Sequence, residues 1–400
     1  MFKNKLAKFA LIAFSGLFLT SGIERDQADL NRVWGELNSN NSFNLSKQSF
    51  CFDINGTVFG QNIHQLVRPA SVSKMYTSLW AMSELGYDYR FQTIFSYDQK
   101  NLYILGGNDS YFVTENLILI LNELNNRGIT NIENIYFDMY FKLNWSNDSQ
   151  SIKSGLEKVF KTSRWTRSEK EAFKNVNDYL YEQSQSSILK PVFNFKRILF
   201  RNELNAPLSS ESITHFSSPL YQQLKPINMY SNNFYHDNIF DFLGGNIAFH
   251  DFMYREFNAN DDEIYFYTGS GLGENRTTCE LTLRLLKRLR EFLNLNGLEP
   301  MDQMAVAGID EGTLAKRFTQ SKYNQYISAK TGTLRHTSTL AGYINDANQT
   351  IFGVFNHTYN IAGARELQNE FIKYFMDNAQ LIPLEYSPSN TSSIVNIQLK

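Results

Sequence analysis

The chain has 400 residues, 42 % of them hydrophobic and 20 % charged, with 38 Lys and Arg against 40 Asp and Glu. Such a chain folds, as one large domain or two to three ordinary ones, and its near-neutral balance argues against a nucleic-acid binder. Two cysteines, Cys51 and Cys279, exclude a disulfide-scaffold domain and a four-thiolate metal site, and six scattered histidines offer no H-E-x-x-H pair. Neither a metal nor a cofactor is implied.

Met1 to Gly22 has the layout of a secretory signal peptide: Lys3, Lys5 and Lys8, an apolar run of 11 residues from Phe9 to Leu19, then small residues. A bilayer span needs about 20 apolar residues. The expected product is exported to the periplasm, with at most peripheral membrane contact. An oxidising compartment permits Cys51 and Cys279 to pair. Their separation is not readable from sequence, and two separate buried thiols is the preferred reading.

Phe50 to Ile54 and Thr57 to Phe59 flank Asn55-Gly56, the strongest two-residue hairpin signal. Ser71 to Leu85 reads as a helix, with Val72, Met75, Leu79, Met82 and Leu85 at helical spacing and Gly86 behind them. Phe91 to Ser96 and Leu102 to Leu105 make a second hairpin. A helix capped by Thr114 and closed by Gly128 precedes a strand from Ile132 to Asp138. Asp138 reads as structural. From Asn144 to Ser210 the chain is polar and without clear period. Glu280 to Phe292 is helical; Gln325 to Ser328, Leu340 to Tyr343 and Thr350 to His357 are strands; Ala364 to Met376 is an amphipathic helix; beyond Ser387 the chain reads as loose.

Three short patterns stand in order: Ser71-Val-Ser-Lys74, Ser231-Asn-Asn233 and Lys330-Thr-Gly332. Each alone is weak. Ser187-Ile-Leu-Lys190 repeats the first, and Ser39 to Asn41 and Ser42 to Asn44 repeat the second. Context separates them. Serine and lysine three apart face one another on a helix. Ser71 opens a well-patterned one, whereas Lys190 abuts Pro191, which disfavours helix before it. Serine is a weak nucleophile until a base takes its proton, and lysine is such a base once burial or a neighbouring cation lowers its pKa. Lys330 is the obvious cation if its strand lies against the Ser71 helix. Ser231 is suited to relay a proton to a leaving amine, Asn233 to fix Lys74 and a substrate amide, and Lys330 and Thr331 to bind a carboxylate. Gly332 lets a substrate backbone approach the strand edge closely, and the N–H groups of Ser71 and Thr333 suit an oxyanion hole.

The set of three motifs is that of serine β-lactamases and penicillin-binding proteins. The flanks resemble the class C low-molecular-mass penicillin-binding proteins, the D-alanyl-D-alanine carboxypeptidase/endopeptidase family. The similar segments are RPASVSK at 68–74, THFSSPL at 214–220, MYSNNFYHDN at 229–238, GSGL at 269–272, VAGIDEGTLAKRF at 306–318, and AKTGTL at 329–334 followed by LAGY at 340–343. The resemblance runs from about Phe50 to Asn356, strong at the motifs and weak between them.

It implies an α/β (α+β) fold of β-lactamase/transpeptidase type: an antiparallel sheet flanked by helices, with an inserted smaller domain. The implied layout is a catalytic domain from 23–90 and 208–385, an insert over 91–207, and a flexible tail over 386–400. Only 160 residues separate Ser71 from Ser231, so one reduced insert is expected. The implied activity is attack by Ser71 on stem peptides of peptidoglycan, with Lys74, Ser231, Asn233 and Lys330 catalytic. Thr331, Gly332, Thr333 and Ser270 would bind substrate, and β-lactams would be covalent inhibitors. The three motif segments are then expected to converge on one cleft. Thr268 stands where this family has Asp, which is expected to loosen the loop carrying Ser270. Rival readings are a β-lactamase or esterase of the same fold, for which no second carboxylate motif is found, and a non-catalytic wall-binding protein.

Overall fold

Asn55 and Gly56 both take positive φ, 48° and 84°, and close the hairpin between Gln48–Ile54 and Thr57–Gln61. They belong to a computed structural model describing residues 27–207, 211–388 and 393–400; the expected signal segment lies outside these. The described chain forms two units. One holds the residues up to Met75 with Met253–Tyr267 and Gly271–Tyr386; the other holds Tyr76–Phe252, Thr268–Ser270 and Ser387–Lys400.

The first unit is built on a six-stranded sheet in the order Ala305–Val306, Ile327–Leu334, Thr337–Ile344, Ile351–His357, Gln48–Ile54, Thr57–Gln61. All its pairings are antiparallel. Successive side chains of a strand point to opposite faces. Phe50 and Phe52 turn toward the helix Ile361–Asp377, where ring centroids lie 4.9 Å (Phe50–Phe371) and 4.7 Å (Phe52–Phe375) apart. Trp34, from a helix over 27–40, closes this cluster at 4.9 Å from Phe371.

Cys51, between the two phenylalanines, faces the other way, toward the helix Cys279–Leu295. Thr278 caps that helix, its Oγ1 accepting from Leu281 N at 3.1 Å. There Cys51 and Cys279 are joined in a disulfide with Cα atoms 5.9 Å apart, correcting the reading of two separate thiols. The bond spans 228 residues of sequence, so it restricts the unfolded chain strongly. Replacing both cysteines by alanine is expected to lower the unfolding free energy by about 2–5 kcal/mol. Urea titration under non-reducing conditions measures this, and coincident curves for the two proteins would refute it.

The second unit carries a mixed sheet in the order Gln398–Leu399, Glu211–Phe216, Gln92–Tyr97, Asn101–Leu105, Asn131–Phe137, Asn194–Phe200. Its last three strands run parallel, which requires crossover connections. The helix Thr114–Asn126 supplies one; Ser149–Phe160 and Arg167–Glu182 supply the other. The stretch expected to lack pattern therefore holds two helices and a strand. Ile152, Leu156 and Val159 on one helix, and Ala172, Val176 and Leu180 on the next, are buried in one core with Leu117, Leu121 and Ile135.

This sheet reaches past the expected insert boundary at 207, because Glu211–Phe216 pairs with Gln92–Tyr97. The tail is not loose where it is described. Ile394 is fully buried, and Gln398–Leu399 pairs with Phe216 and His215. Its Ser- and Asn-rich approach hid Ile394, Ile397 and Leu399, which pack against the core of this unit.

Candidate active site

Ser71 lies in a single 3-10 turn, Ala70–Val72, just before the helix Ser73–Leu85 rather than within it. The turn is made by Ala70 at φ 48°, a left-handed conformation that costs an L residue roughly 1–2 kcal/mol. Two close approaches hold it. Gly271 passes so near that an added Cβ would sit 1.9 Å from Ala70 O. The strand Ile327–Leu334 brings Gly332 against the same turn, where an added Cβ would lie 2.9 Å from Ser71 N and 2.8 Å from Pro69 O. Thr339 on the neighbouring strand donates its hydroxyl to Pro69 O at 2.9 Å. Glycine at 332 is thus required by the approach of the protein's own turn.

Lys74, one turn on, is fully buried and donates from Nζ to Ser71 Oγ at 2.9 Å. Lys330 is 1 % exposed, and its Nζ donates to Thr331 O at 2.9 Å. Burial, and then the charge of Lys74, hold the Lys330 ammonium well below the usual lysine range. Two amines in one dry space cannot both keep their protons at low cost. Of the two, Lys74 is the amine whose Nζ reaches the serine hydroxyl.

The sequence reading missed Asn275. It is 1 % exposed, accepts from Tyr267 N at 2.9 Å and donates from Nδ2 to Ser73 Oγ at 3.2 Å, fixing the start of the helix behind Ser71. Its place just after GSGL was the only available signal.

The second unit places the remaining residues. Ser231 sits at φ 58° in the turn between the helices Leu220–Met229 and Asn233–Phe242, its N–H donating to Asn228 O at 3.2 Å. Asn232 caps the second helix by accepting from Tyr235 N at 2.9 Å, leaving Asn233 as its first residue. Ser270 is 1 % exposed and donates from its N–H to Asp237 Oδ1 at 2.8 Å, while Gly269 O accepts from Thr77 Oγ1 at 2.9 Å. The loop is therefore tied without an acid at Thr268, which corrects the expected loosening: Asp237 brings a carboxylate to it from the helix Asn233–Phe242.

Ser71, Lys74, Lys330 and Gly332 thus meet in the first unit, with Thr331 and Thr333 on the same strand; Ser231, Asn233 and Ser270 belong to the second. The competing Ser187–Lys190 pattern is an irregular segment with both residues exposed. Asp138 accepts from the N–H groups of Gly106, Tyr140 and Phe141 at 3.0–3.1 Å and shapes a turn. Among the described residues, no cluster of three or more His, Cys, Asp or Glu is placed to hold a metal, and no helix is long and apolar enough to cross a membrane.

Comparison with solved structures gives the predatory endopeptidase Bd3459 of Bdellovibrio bacteriovorus, in a form with one lysine replaced by methionine, at 25 % identity and TM-score 0.78, covering 86 % of this chain and 96 % of that one. The penicillin G-acylated form of Bd3459, in complex with the immunity protein Bd3460, matches at 24 % identity and TM-score 0.79, covering 88 % and 99 %. Penicillin-binding protein 4 of Haemophilus influenzae matches at 17 % identity and TM-score 0.58, covering 81 % and 96 %. The fold is the transpeptidase-like one. No curated protein matches in sequence. A profile of the D-Ala-D-Ala carboxypeptidase 3 (S13) family matches residues 53–152 and 205–374, more than half of the sequence, and with the Ser71–Lys74 pair in place the chain belongs to that family of serine peptidases.

Proposed function

We propose that the protein is an exported serine-type D-alanyl-D-alanine carboxypeptidase that also cleaves peptide cross-links of peptidoglycan. The observation that carries this reading is the hydrogen bond from buried Lys74 to Ser71 Oγ at 2.9 Å beside a second buried lysine. The similar structures include a peptidoglycan endopeptidase and a penicillin G-acylated form of it, which support the substrate and the inhibitor class. The buried disulfide and the lysine-led apolar N-terminus support export to the periplasm.

In this reading Lys74 takes the Ser71 proton, and Oγ attacks the carbonyl of the penultimate D-alanine. The tetrahedral oxyanion is held by the N–H groups of Ser71 and Thr333. Ser231 passes a proton to the departing amine, and Asn233 orients Lys74 and the substrate amide. These two, with Ser270 as a further substrate contact, are assigned by their motifs. Thr331 binds the carboxylate of the leaving residue. Water then releases the acyl group and returns the proton.

Incubation with penicillin G is expected to add one penicillin mass to the wild type and none to Ser71→Ala. Release of free D-alanine from an acyl-D-alanyl-D-alanine peptide should follow the same pattern. An adduct that survives in Ser71→Ala, or a wild type that forms none, would sink the proposal.

A further inference from the structure

A cleft of about 500 Å³ opens beside Thr331 and Thr333 of the first unit, and Lys316, Arg317 and Arg365 line it. Three features set it apart. First, it is cationic without compensation: neither arginine pairs with a carboxylate among the described residues. Second, one of the cations is buried. Arg317 is only 8 % exposed, and its guanidinium donates to neutral amides alone, Asn369 Oδ1 at 2.8 Å and Gln368 Oε1 at 3.1 Å. Burial and the neighbouring Arg365 push Arg317 down to about 9. A buried guanidinium held next to a second one is costly unless an anion arrives to offset both. Third, the cleft is wired to the reactive strand. Arg365 donates to Thr333 Oγ1 at 3.0 Å while remaining exposed, so its other donors face outward.

The strand's edge is available to a peptide. Ala305–Val306 pairs only with Ser328 and Ala329, so Lys330 to Leu334 have no strand beside them on that edge among the described residues. In the reading above, Thr331 takes the carboxylate of the leaving residue. The cleft opens beside Thr331 itself, so a second charge carried by the leaving residue lies next to Arg317, Arg365 and Lys316. A single terminal D-alanine brings one negative charge, which in that reading Thr331 already takes. Three further cations call for more.

We propose that this cleft is a leaving-side anion subsite, which selects leaving groups carrying a second carboxylate, as the far half of a peptide cross-link does, over a lone D-alanine. The inference rests on the acyl-transfer reading. It makes the guanidinium forks of Arg365 and Arg317 and the ammonium of Lys316 the specificity determinants for cross-link cleavage.

Two isosteric peptides test it on the full-length protein: acyl-D-alanyl-D-glutamate and acyl-D-alanyl-D-glutamine, which differ by one charge on the leaving residue. The wild type is expected to hydrolyse the glutamate peptide with kcat/KM about tenfold higher or more. In Lys316→Gln/Arg365→Gln that ratio falls to about one, and in Arg365→Lys, which keeps the charge, most of the preference remains. Both peptides are also run as competitors of penicillin acylation, so that the charge preference is read even where turnover is slow. A wild type that takes a penicillin adduct yet treats the two peptides alike overturns the inference alone. A wild type that takes no adduct overturns the acyl-transfer reading and the inference with it.

Discussion

Lys74→Met is expected to slow penicillin acylation of Ser71 by about 10²–10⁴-fold. Methionine fills a lysine's volume with an unbranched chain, so the buried site keeps its packing and loses only the amine. Lys330 does not replace it: its Nζ donates to Thr331 O on its own strand, whereas the Lys74 Nζ is the one at Ser71 Oγ. Lys74→Arg separates two roles that the methionine variant leaves merged. Arginine keeps a positive charge beside Ser71 but does not release its proton in a protein, so it is no base. It should be as slow as methionine if Lys74 takes the serine proton, and near wild type if Lys74 only supplies charge. Rates of adduct formation by intact mass across pH 5 to 10 decide between these. A Lys74→Arg protein within tenfold of wild type would remove the base assignment.

The part of the site carried by a continuous segment was legible in the sequence. Ser71 and Lys74 are three residues apart, and one turn of chain brings them to 2.9 Å. Gly332 was legible as a motif residue, but its approach to the Ser71 turn was not, because that needs two segments distant in sequence. The strand itself was read as ending at Ser328, because the polar run from Lys330 to Thr333 breaks the apolar pattern; it continues to Leu334 since every one of those residues pairs with the next strand. Arg317 and Arg365 were invisible for a different reason. They lie 48 residues apart, and only the packing of the terminal helix brings their guanidinium groups to one cleft. The two helices between Asn144 and Ser210 did carry a 3–4 spacing of Ile, Leu and Val, but abundant Ser, Lys and Asn on their solvent faces masked it. The disulfide illustrates the general limit: alternation aims Cys51 at one sheet face, but nothing local says which helix covers that face.

His215→Gln and Asp109→Asn should tilt the pH dependence of stability in opposite directions. His215 is buried in the second unit, with Nε2 3.1 Å from Asn116 Nδ2 and the Phe112 ring 4.8 Å away. Burial pushes it from 6.5 down to about 3. Between those values the unfolded chain binds the proton and the folded one does not. Its contribution is therefore complete above pH 6.5 and is lost as pH falls toward 3, at about 1.4 kcal/mol per unit and about 5 kcal/mol in all.

Asp109, also buried, accepts from Tyr111 N at 3.0 Å, and burial pushes it from 3.8 up to about 7. Here the folded state holds the proton that the unfolded state gives up, so stability falls as pH rises through the same window, by about 4 kcal/mol. In the wild type the two slopes nearly cancel between pH 3.8 and 6.5. Removing the histidine leaves the aspartate's slope, so His215→Gln loses stability from about pH 4 to 7. Removing the carboxyl leaves the histidine's, so Asp109→Asn gains stability over the same range. Urea midpoints at four pH values measure both, and parallel profiles for all three proteins would mean that neither group changes its proton occupancy on folding.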